Sequence, residues 1–197
     1  MIVTDISDLT DYPECLRSEA DEQGLTRSPG LHLSQIIHAI EDTIHPPEDW
    51  CSEAELAFFA SGGFMWERVF SMAMRDSVVS GDLVRPGELT LDGIIGSPDL
   101  IRISDMTGID TKMKWRSVRS WDDAGSREKN YWAWFTQCKA YAKMFGINVY
   151  EIHAFFVAGD WRPPIPQTRA LRMEFTDKEL NDNWAMITGY ARNKGWL

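Results

Sequence analysis

Residues 96–112 read GSPDLIRISDMTGIDTK, with two short alternating runs on either side of turn-forming residues. Alternation with a period of two is typical of strands, and the Asp-Met-Thr-Gly sequence at 105–108 is typical of a turn. The segment therefore predicts an antiparallel hairpin. Asp99 stands at the start of the first run, and Asp110 and Lys112 share one face of the second strand because they are two residues apart.

The register of this hairpin determines whether Asp99 and Asp110 meet. A turn confined to residues 105–108 would place Ile103 opposite Asp110 and leave Asp99 about 13 Å away along the strand. A six-residue turn, from about residue 102 to residue 107, would place Asp99 opposite Asp110. A bend at the proline before Asp99 would have the same result.

The residue types of this segment indicate a chemistry if the two carboxylates meet. A pair of carboxylates suits a hard divalent cation such as Mg²⁺, which prefers oxygen ligands. Lys112, beside them, could orient a water molecule and stabilise negative charge that develops on a phosphate group. Solvated charges on a strand would give the same pattern, so the segment alone leaves both readings open.

The segments around the hairpin predict further strands and several helices. Capping boxes and apolar residues at helical spacing indicate the helices, whereas β-branched and aromatic residues indicate the last strand. We expect a helix over residues 31–44 ended by Pro46–Pro47, a helix from the 52–55 capping box to about residue 74 with a kink or break at Gly62–Gly63, two or three antiparallel strands from residue 88 onward, a helix over 127–145 stopped by Gly146, a strand over 147–157, and a helix from the 176–179 capping box to about residue 194. This order predicts a mixed α/β core.

Length and composition indicate a globular protein. The chain has 197 residues, of which 44% are hydrophobic and 25% are charged. No apolar run reaches the roughly 18–20 residues that a membrane span needs, and the acidic N-terminal segment does not resemble a signal peptide. The three cysteines, at positions 15, 51 and 138, form no paired motif, which favours a reducing cytoplasm.

The formal charge of −10 is unevenly distributed. Residues 1–100 contain 5 basic and 19 acidic residues, whereas residues 101–197 contain 15 basic and 11 acidic ones. Eight Lys and Arg residues lie between Lys112 and Lys143. Such a basic stripe is able to bind a polyanion, although a solvated charged face is the simpler reading.

The helix predicted over residues 127–145 contains a second polar pair. Gln137 and Tyr141 are four residues apart and therefore lie on one face of the helix. An amide and a phenol there could donate hydrogen bonds to phosphate or steady the Lys112 side chain. An exposed glutamine beside a tyrosine of the core is the alternative.

The ordered motifs Pro98-Asp99, Asp110-Thr111-Lys112 and Gln137-x-x-x-Tyr141 resemble the PD-(D/E)XK nuclease superfamily, in its RecB-like and lambda-exonuclease-like (phage-type) branch. The resemblance spans about residues 60–158. It implies a restriction-endonuclease-like α/β core, with a small mixed central sheet flanked by helices. It also implies hydrolysis of nucleic-acid phosphodiesters with Mg²⁺ or Mn²⁺.

The resemblance also implies roles for individual residues. Its metal ligands would be Glu67, Asp99, Asp110 and the backbone carbonyl of Thr111, with Glu53 and Glu55 as alternatives to Glu67. Lys112 would position the attacking water, and Gln137 with Tyr141 would contact the substrate phosphate or the lysine. The residues expected to bind nucleic acid are Lys114, Arg116, Arg119, Gln137 and Tyr141.

Tryptophans interleave with the basic stripe at positions 115, 121, 132 and 134. Interleaved aromatic and basic residues are found in proteins on which single-stranded bases stack. Tryptophans of the core would give the same pattern.

These observations predict a single nuclease domain over residues 1–197, with a helical extension over 1–50, a catalytic core over 51–160 and a C-terminal loop and helix over 161–197. The expected function is a metal-dependent deoxyribonuclease, an exonuclease that processes DNA ends in the cytoplasm of a bacterium or a phage-infected host. A catalytically silent DNA- or protein-binding module and a restriction-type endonuclease are the alternatives. The sequence leaves open whether copies of the chain form a homo-oligomer.

Overall fold

The computed structural model describes residues 28–45, 62–63, 65, 82–114, 118–157 and 167–197. The strands are β1 (Leu31–His32), β2 (Leu83–Val84), β3 (Leu89–Leu91), β4 (Ile94–Gly96), β5 (Leu100–Arg102), β6 (Thr107–Lys114), β7 (Val149–Phe156) and β8 (Gln167–Glu174). The helices are α1 (Leu33–Ile44), α2 (Arg119–Asp122), α3 (Arg127–Asn130), α4 (Trp132–Phe145) and α5 (Asp177–Asn193). Gly62 and Gly63, where the sequence predicts a kink or break, are helical.

The described strands form two sheets. A five-stranded sheet has the order β2-β5-β6-β7-β8, and a three-stranded sheet has the order β1-β4-β3. Both are mixed, because β6–β7 and β1–β4 are parallel pairs and the other pairs are antiparallel. Helices flank these sheets, which confirms the predicted fold class.

The hairpin of β5 and β6 has the register that brings the two aspartates together. Leu100 pairs with Ile109 and Arg102 pairs with Thr107, so residues 103–106 form the turn. Continuing this register by one residue places Asp99 opposite Asp110. The turn is two residues shorter than the expected one because Arg102 and Thr107 are themselves paired, but the register is the one that the six-residue alternative requires.

Gly108 belongs to β6 rather than to the turn, where sequence alone had placed it. It pairs with Tyr150 of β7, and a Cβ atom at this position would clash with the aromatic ring of Tyr150. Met106 instead takes the left-handed backbone conformation of the turn, with φ 51°. The glycine is therefore required for close packing of two strands.

Gly108→Ala is expected to lower the free energy of unfolding by about 1–3 kcal/mol, because the new methyl group has no space beside the fully buried Tyr150. Gly189→Ala is a matched control, since a Cβ atom there meets nothing within 4 Å. In a helix interior that change is expected to be stabilising by up to about 1 kcal/mol. Urea unfolding of both variants measures the difference, and equal stability of the two would refute this account of Gly108.

The main core packs helices against the five-stranded sheet. α1 contributes Leu33, Ile36, Ile37 and Ile40 to it, as its apolar periodicity predicts. Buried residues of α4, β7 and α5 complete the same cluster. Among the described helices, none has the length and apolar character needed to cross a bilayer.

Several predicted boundaries are refined by the structure. Leu31 and His32 form a short strand before α1, because they pair in parallel with β4. The helix expected over 127–145 is divided at Tyr131 into α3 and α4, and it ends at Gly146, whose φ of 66° is left-handed. Thr176 caps α5 by accepting a hydrogen bond from the backbone N–H of Glu179, as predicted. The capping box at 52–55 and Pro46–Pro47, where the first helix was expected to end, lie outside the described residues. The division of the chain into extension, core and C-terminal segment stays a prediction.

A charged network covers part of the sheet face opposite to α4. Glu151 of β7 accepts hydrogen bonds from Arg102 and Arg172, and it lies 2.9 Å from Nε2 of His153. Burial alone would raise the pKa of Glu151, but the hydrogen bonds from Arg102, His153 and Arg172 lower it from 4.5 to about 2. His153 is therefore a half-buried member of this polar cluster.

Acid is expected to destabilise the protein through Glu151. Since its pKa is lower in the folded chain, its contribution to stability is complete above about pH 4.5 and is lost as the pH falls toward 2. Glu151→Gln should therefore reduce the loss of stability between pH 6 and pH 3 by about 1–3 kcal/mol. Urea unfolding at both pH values measures this, with Glu128→Gln, at an exposed ion pair, as control. A variant as acid-sensitive as the native chain would contradict the assignment.

Candidate active site

Asp99 is fixed in place by the neighbouring strand. It immediately precedes β5, and its Oδ2 accepts hydrogen bonds from the backbone N–H and the hydroxyl of Thr111, at 2.7 and 2.8 Å. Two donors to one oxygen hold Asp99 beside Asp110, the residue before Thr111.

Asp110 and Lys112 form an ion pair at the same place. The Nζ of Lys112 lies 2.6 Å from Oδ2 of Asp110. The Asp110 side chain is only 1% exposed, whereas that of Lys112 is 18% exposed. The carboxylate is therefore enclosed and the lysine side chain keeps some contact with solvent, which a substrate needs in order to reach it.

The charges of the two aspartates act together on Lys112. Burial disfavours the ammonium form, but the negative charges of Asp110 and Asp99 outweigh this effect and raise the pKa of Lys112 above its usual range. Both carboxylates therefore lie in one neighbourhood with the lysine. This is the convergence that the sequence predicts for the longer hairpin turn.

Helix α4 covers this neighbourhood with the face that contains Gln137 and Tyr141. Nε2 of Gln137 donates a hydrogen bond to the hydroxyl of Tyr141 at 2.9 Å, so the two are neighbours as predicted. Burial, and then the negative charge of Asp110, raises the pKa of Tyr141 above its usual range. Tyr141 is 5% exposed and belongs to the core, which is the alternative that the sequence left open for it, whereas its contact with phosphate or with Lys112 stays a prediction.

Two side chains that the sequence did not single out, those of Cys138 and Tyr150, also lie near Asp110. Sγ of Cys138 lies 4.0 Å from Oδ2 of Asp110, and burial raises the pKa of that thiol. Tyr150 is completely buried, and its hydroxyl has no hydrogen-bond partner among the described residues. Only positional signals could have found them: Cys138 follows Gln137 directly, and Tyr150 lies on the α4-facing side of β7.

The donor atoms fit a small divalent cation. Asp99 and Asp110 offer hard carboxylate oxygens from adjacent strands, and Mg²⁺ is commonly held by one or two carboxylates together with substrate phosphates. No group of three or more His, Cys, Asp or Glu side chains suited to a metal occurs within the described ranges. Glu67, and the alternatives Glu53 and Glu55, lie outside them, so the third acid stays a prediction. The hydroxyl of Thr111 donates a hydrogen bond to Asp99, so the backbone carbonyl of Thr111 is its expected metal ligand.

The residues expected to bind nucleic acid are only partly described. Nζ of Lys114 lies 5.8 Å from the ring centroid of Trp134 and 6.0 Å from that of Tyr131. Arg119 is exposed at the start of α2, and Arg116 lies outside the described residues. Trp121 is 2% exposed and belongs to the core, so it offers no stacking surface; Trp132 and Trp134 pack against that core, and Trp115 is not described.

The fold is shared with known exonucleases. The structure is similar to a phage-related exonuclease from Haemophilus somnus 129PT, with a TM-score of 0.54, 15% identity, and coverage of 82% of this chain and 79% of that chain. An alkaline exonuclease from Laribacter hongkongensis has a TM-score of 0.54 and 13% identity, with coverage of 88% and 91%. Its complex with dAMP has a TM-score of 0.52 and 12% identity, with coverage of 83% and 87%. The sequence matches no protein-family model and no curated protein.

Proposed function

We propose that this chain is a metal-dependent deoxyribonuclease, and specifically an exonuclease that processes DNA ends. The observation that carries the proposal is the meeting of Asp99, Asp110 and Lys112 in one partly enclosed neighbourhood. Two carboxylates and an ammonium group in this arrangement suit hydrolysis of a phosphodiester. The fold shared with two exonucleases supports the same class of reaction.

Asp99 and Asp110 would hold Mg²⁺ or Mn²⁺, with the carbonyl of Thr111 and an acid such as Glu67 completing the site. When bound, the cation supplies Lewis-acid stabilisation of negative charge on the phosphate and lowers the pKa of water. Thr111 keeps the Asp99 carboxylate oriented through its two hydrogen bonds. Ligands fixed in this way lose little conformational freedom when a cation binds.

Lys112 acts next to the reacting phosphate. Its ammonium group has three N–H donors, of which one is directed to Asp110 in the free chain. The others can orient the attacking water and stabilise negative charge on the phosphate oxygens. In the reaction the water oxygen would form a bond to phosphorus in line with the leaving sugar oxygen, and the bond between phosphorus and that oxygen would break. The attacking water loses one proton to the solvent, and the leaving sugar oxygen takes one up to become a hydroxyl group.

The α4 face and the basic residues would hold the DNA backbone. Gln137 and Tyr141, which are hydrogen-bonded to each other, would donate hydrogen bonds to phosphate or steady Lys112. Lys114, Arg116 and Arg119 would contact neighbouring phosphates by charge. One of the similar exonuclease structures is a complex with dAMP, a nucleotide that cleavage of DNA can release.

A cleavage assay separates this proposal from its alternatives. With Mg²⁺ or Mn²⁺, we expect linear DNA to be degraded and covalently closed circular DNA to survive, because an exonuclease needs an end. Cutting of the circle would show a restriction-type endonuclease. Binding of DNA without cleavage of either form, in both metals, would show a silent binding module and would refute the enzymatic proposal. Chelation of the metal with EDTA is the control.

A further inference from the structure

Lys114 occupies a defined position over two aromatic rings. Its Nζ lies 6.0 Å from the ring centroid of Tyr131 and 5.8 Å from that of Trp134. The two rings are 4.7 Å apart at an interplanar angle of 43°, so one ammonium group faces both. Attraction between a cation and an aromatic face contributes to this placement. The carboxylate of Glu41 is also near enough for the charge of Lys114 to lower its pKa.

The two rings are themselves held by their surroundings. Trp121, which is 2% exposed, contacts Tyr131 at 5.1 Å and Trp134 at 5.8 Å between ring centroids. The hydroxyl of Tyr131 makes a 2.6 Å hydrogen bond with the hydroxyl of Ser120. The aromatic pair therefore provides a fixed support for Lys114 rather than a surface that forms only when a ligand binds.

Lys114 and the two rings lie beside the candidate active site. Lys114 follows Lys112 by two residues on β6, so the two side chains share a face, and their Cα atoms are about 6.6 Å apart. On α4, Trp134 precedes Gln137 by about one turn. A row of cations on β6 thus runs beside a row of polar and aromatic side chains on α4, in the direction away from Asp110.

We propose that Tyr131 and Trp134 are positioning residues that hold Lys114 as the binding group for the phosphate next to the one that is cleaved. The inference rests on the proposed function and adds residues to it. A lysine held before the ligand arrives loses less side-chain entropy on binding than a freely moving one. The ligand we assign is the backbone of one nucleic-acid strand, because Lys112 and Lys114 form a single line of charge along β6 and the phosphates of one nucleic-acid strand also form a single line of charge.

Trp134 could also contact DNA by stacking directly on a base. The following test distinguishes base stacking from positioning of Lys114. Affinity for a single-stranded oligonucleotide is measured in EDTA, where no cleavage occurs, at several salt concentrations. Lys114→Met should weaken binding and reduce the slope of log affinity against log salt by about 0.7, the value for one phosphate contact on a single strand. Lys194→Met, which removes a lysine held 5.5 Å from the ring of Tyr190, is the control and should leave the slope unchanged.

Trp134 is tested in the native chain and in the Lys114→Met variant. Trp134→Leu should weaken binding about two- to fivefold in the native background, and Trp134→Phe should restore most of the loss, since a ring remains under Lys114. In the Lys114→Met background, Trp134→Leu should have no further effect, because a positioning residue acts only through the lysine. Unfolding curves of each variant establish that all of them fold.

Each other outcome overturns the inference in a distinguishable way. An equal loss from Trp134→Leu in both backgrounds would show base stacking or a general structural role. An unchanged salt slope in Lys114→Met, with normal binding by the native chain, would refute the phosphate contact and leave the proposed nuclease intact. Absence of both binding and cleavage in the native chain would refute the proposed function and this inference with it.

Discussion

Lys112→Ala is expected to lower the rate of DNA cleavage by about 10²–10³-fold, the usual cost of removing one group that stabilises charge in a transition state. The reason is its position: its Nζ lies 2.6 Å from Asp110 and also feels the charge of Asp99. Initial rates on linear DNA with Mg²⁺ or Mn²⁺ measure the effect.

Two controls make the Lys112 result specific. Lys178→Ala removes an exposed lysine that is likewise paired with an aspartate, Asp182, and should leave the rate unchanged. Lys112→Arg retains the positive charge in a different shape, and its unfolding curve shows whether a cation at this place is needed for folding. Normal cleavage by a folded Lys112→Ala variant would remove Lys112 from the mechanism.

Asp110→Asn is expected to abolish detectable cleavage and also to destabilise the fold. The side chain is 1% exposed and forms a buried ion pair, and breaking such a pair by changing one partner costs about 3–5 kcal/mol. The amide also removes a negative charge that attracts a cation. Urea unfolding and cleavage rates measure the two effects separately.

The matched control for Asp110 is Asp182→Asn. Asp182 also pairs with a lysine, but both side chains are largely exposed, and exposed pairs contribute about 0–1 kcal/mol. We expect this variant to be nearly as stable as the native chain and fully active. If Asp110→Asn were as stable and as active as this control, Asp110 would have neither of the roles proposed for it.

The hairpin shows how far the sequence alone could predict this site. Alternation and turn residues predict the two strands, and the pairing of Asp110 with Lys112 on one face follows from strand periodicity. The register could not be predicted from these patterns, because both turn lengths fit the local sequence. It depends on Gly108, which packs against Tyr150, a residue 42 positions later in the chain.

Strands β8 and β1 were not predicted, nor was the division of the strands from residue 88 onward between two sheets, for a related reason. β8, residues Gln167–Glu174, contains Arg169 and Arg172, and none of its residues 168–174 is fully buried. Only Leu171 and Met173 form an apolar face toward the core, and so short an alternation does not predict a strand. β1 has only two residues, too few for any periodicity.

The position of Asp99 illustrates the same limit at atomic scale. Sequence reasoning could place it near Asp110, but not anticipate that Thr111 would donate two hydrogen bonds to one of its oxygens. Such hydrogen bonds depend on how adjacent strands are positioned relative to each other, which a local sequence pattern does not predict. The contact of Lys114 with the rings of Tyr131 and Trp134 was not predicted either, because the sequence does not distinguish a tryptophan of the core from one that contacts a lysine.

The central claim is that Asp99 and Asp110 together hold a divalent cation. Titration of the native chain with Mn²⁺, followed by the electron paramagnetic resonance signal of the free ion, measures this without any need for activity. We predict that the native chain binds Mn²⁺, that Asp99→Asn and Asp110→Asn each weaken binding by about tenfold or more, and that Asp182→Asn does not. Binding of Mn²⁺ by both active-site variants as tightly as by the native chain would contradict the account.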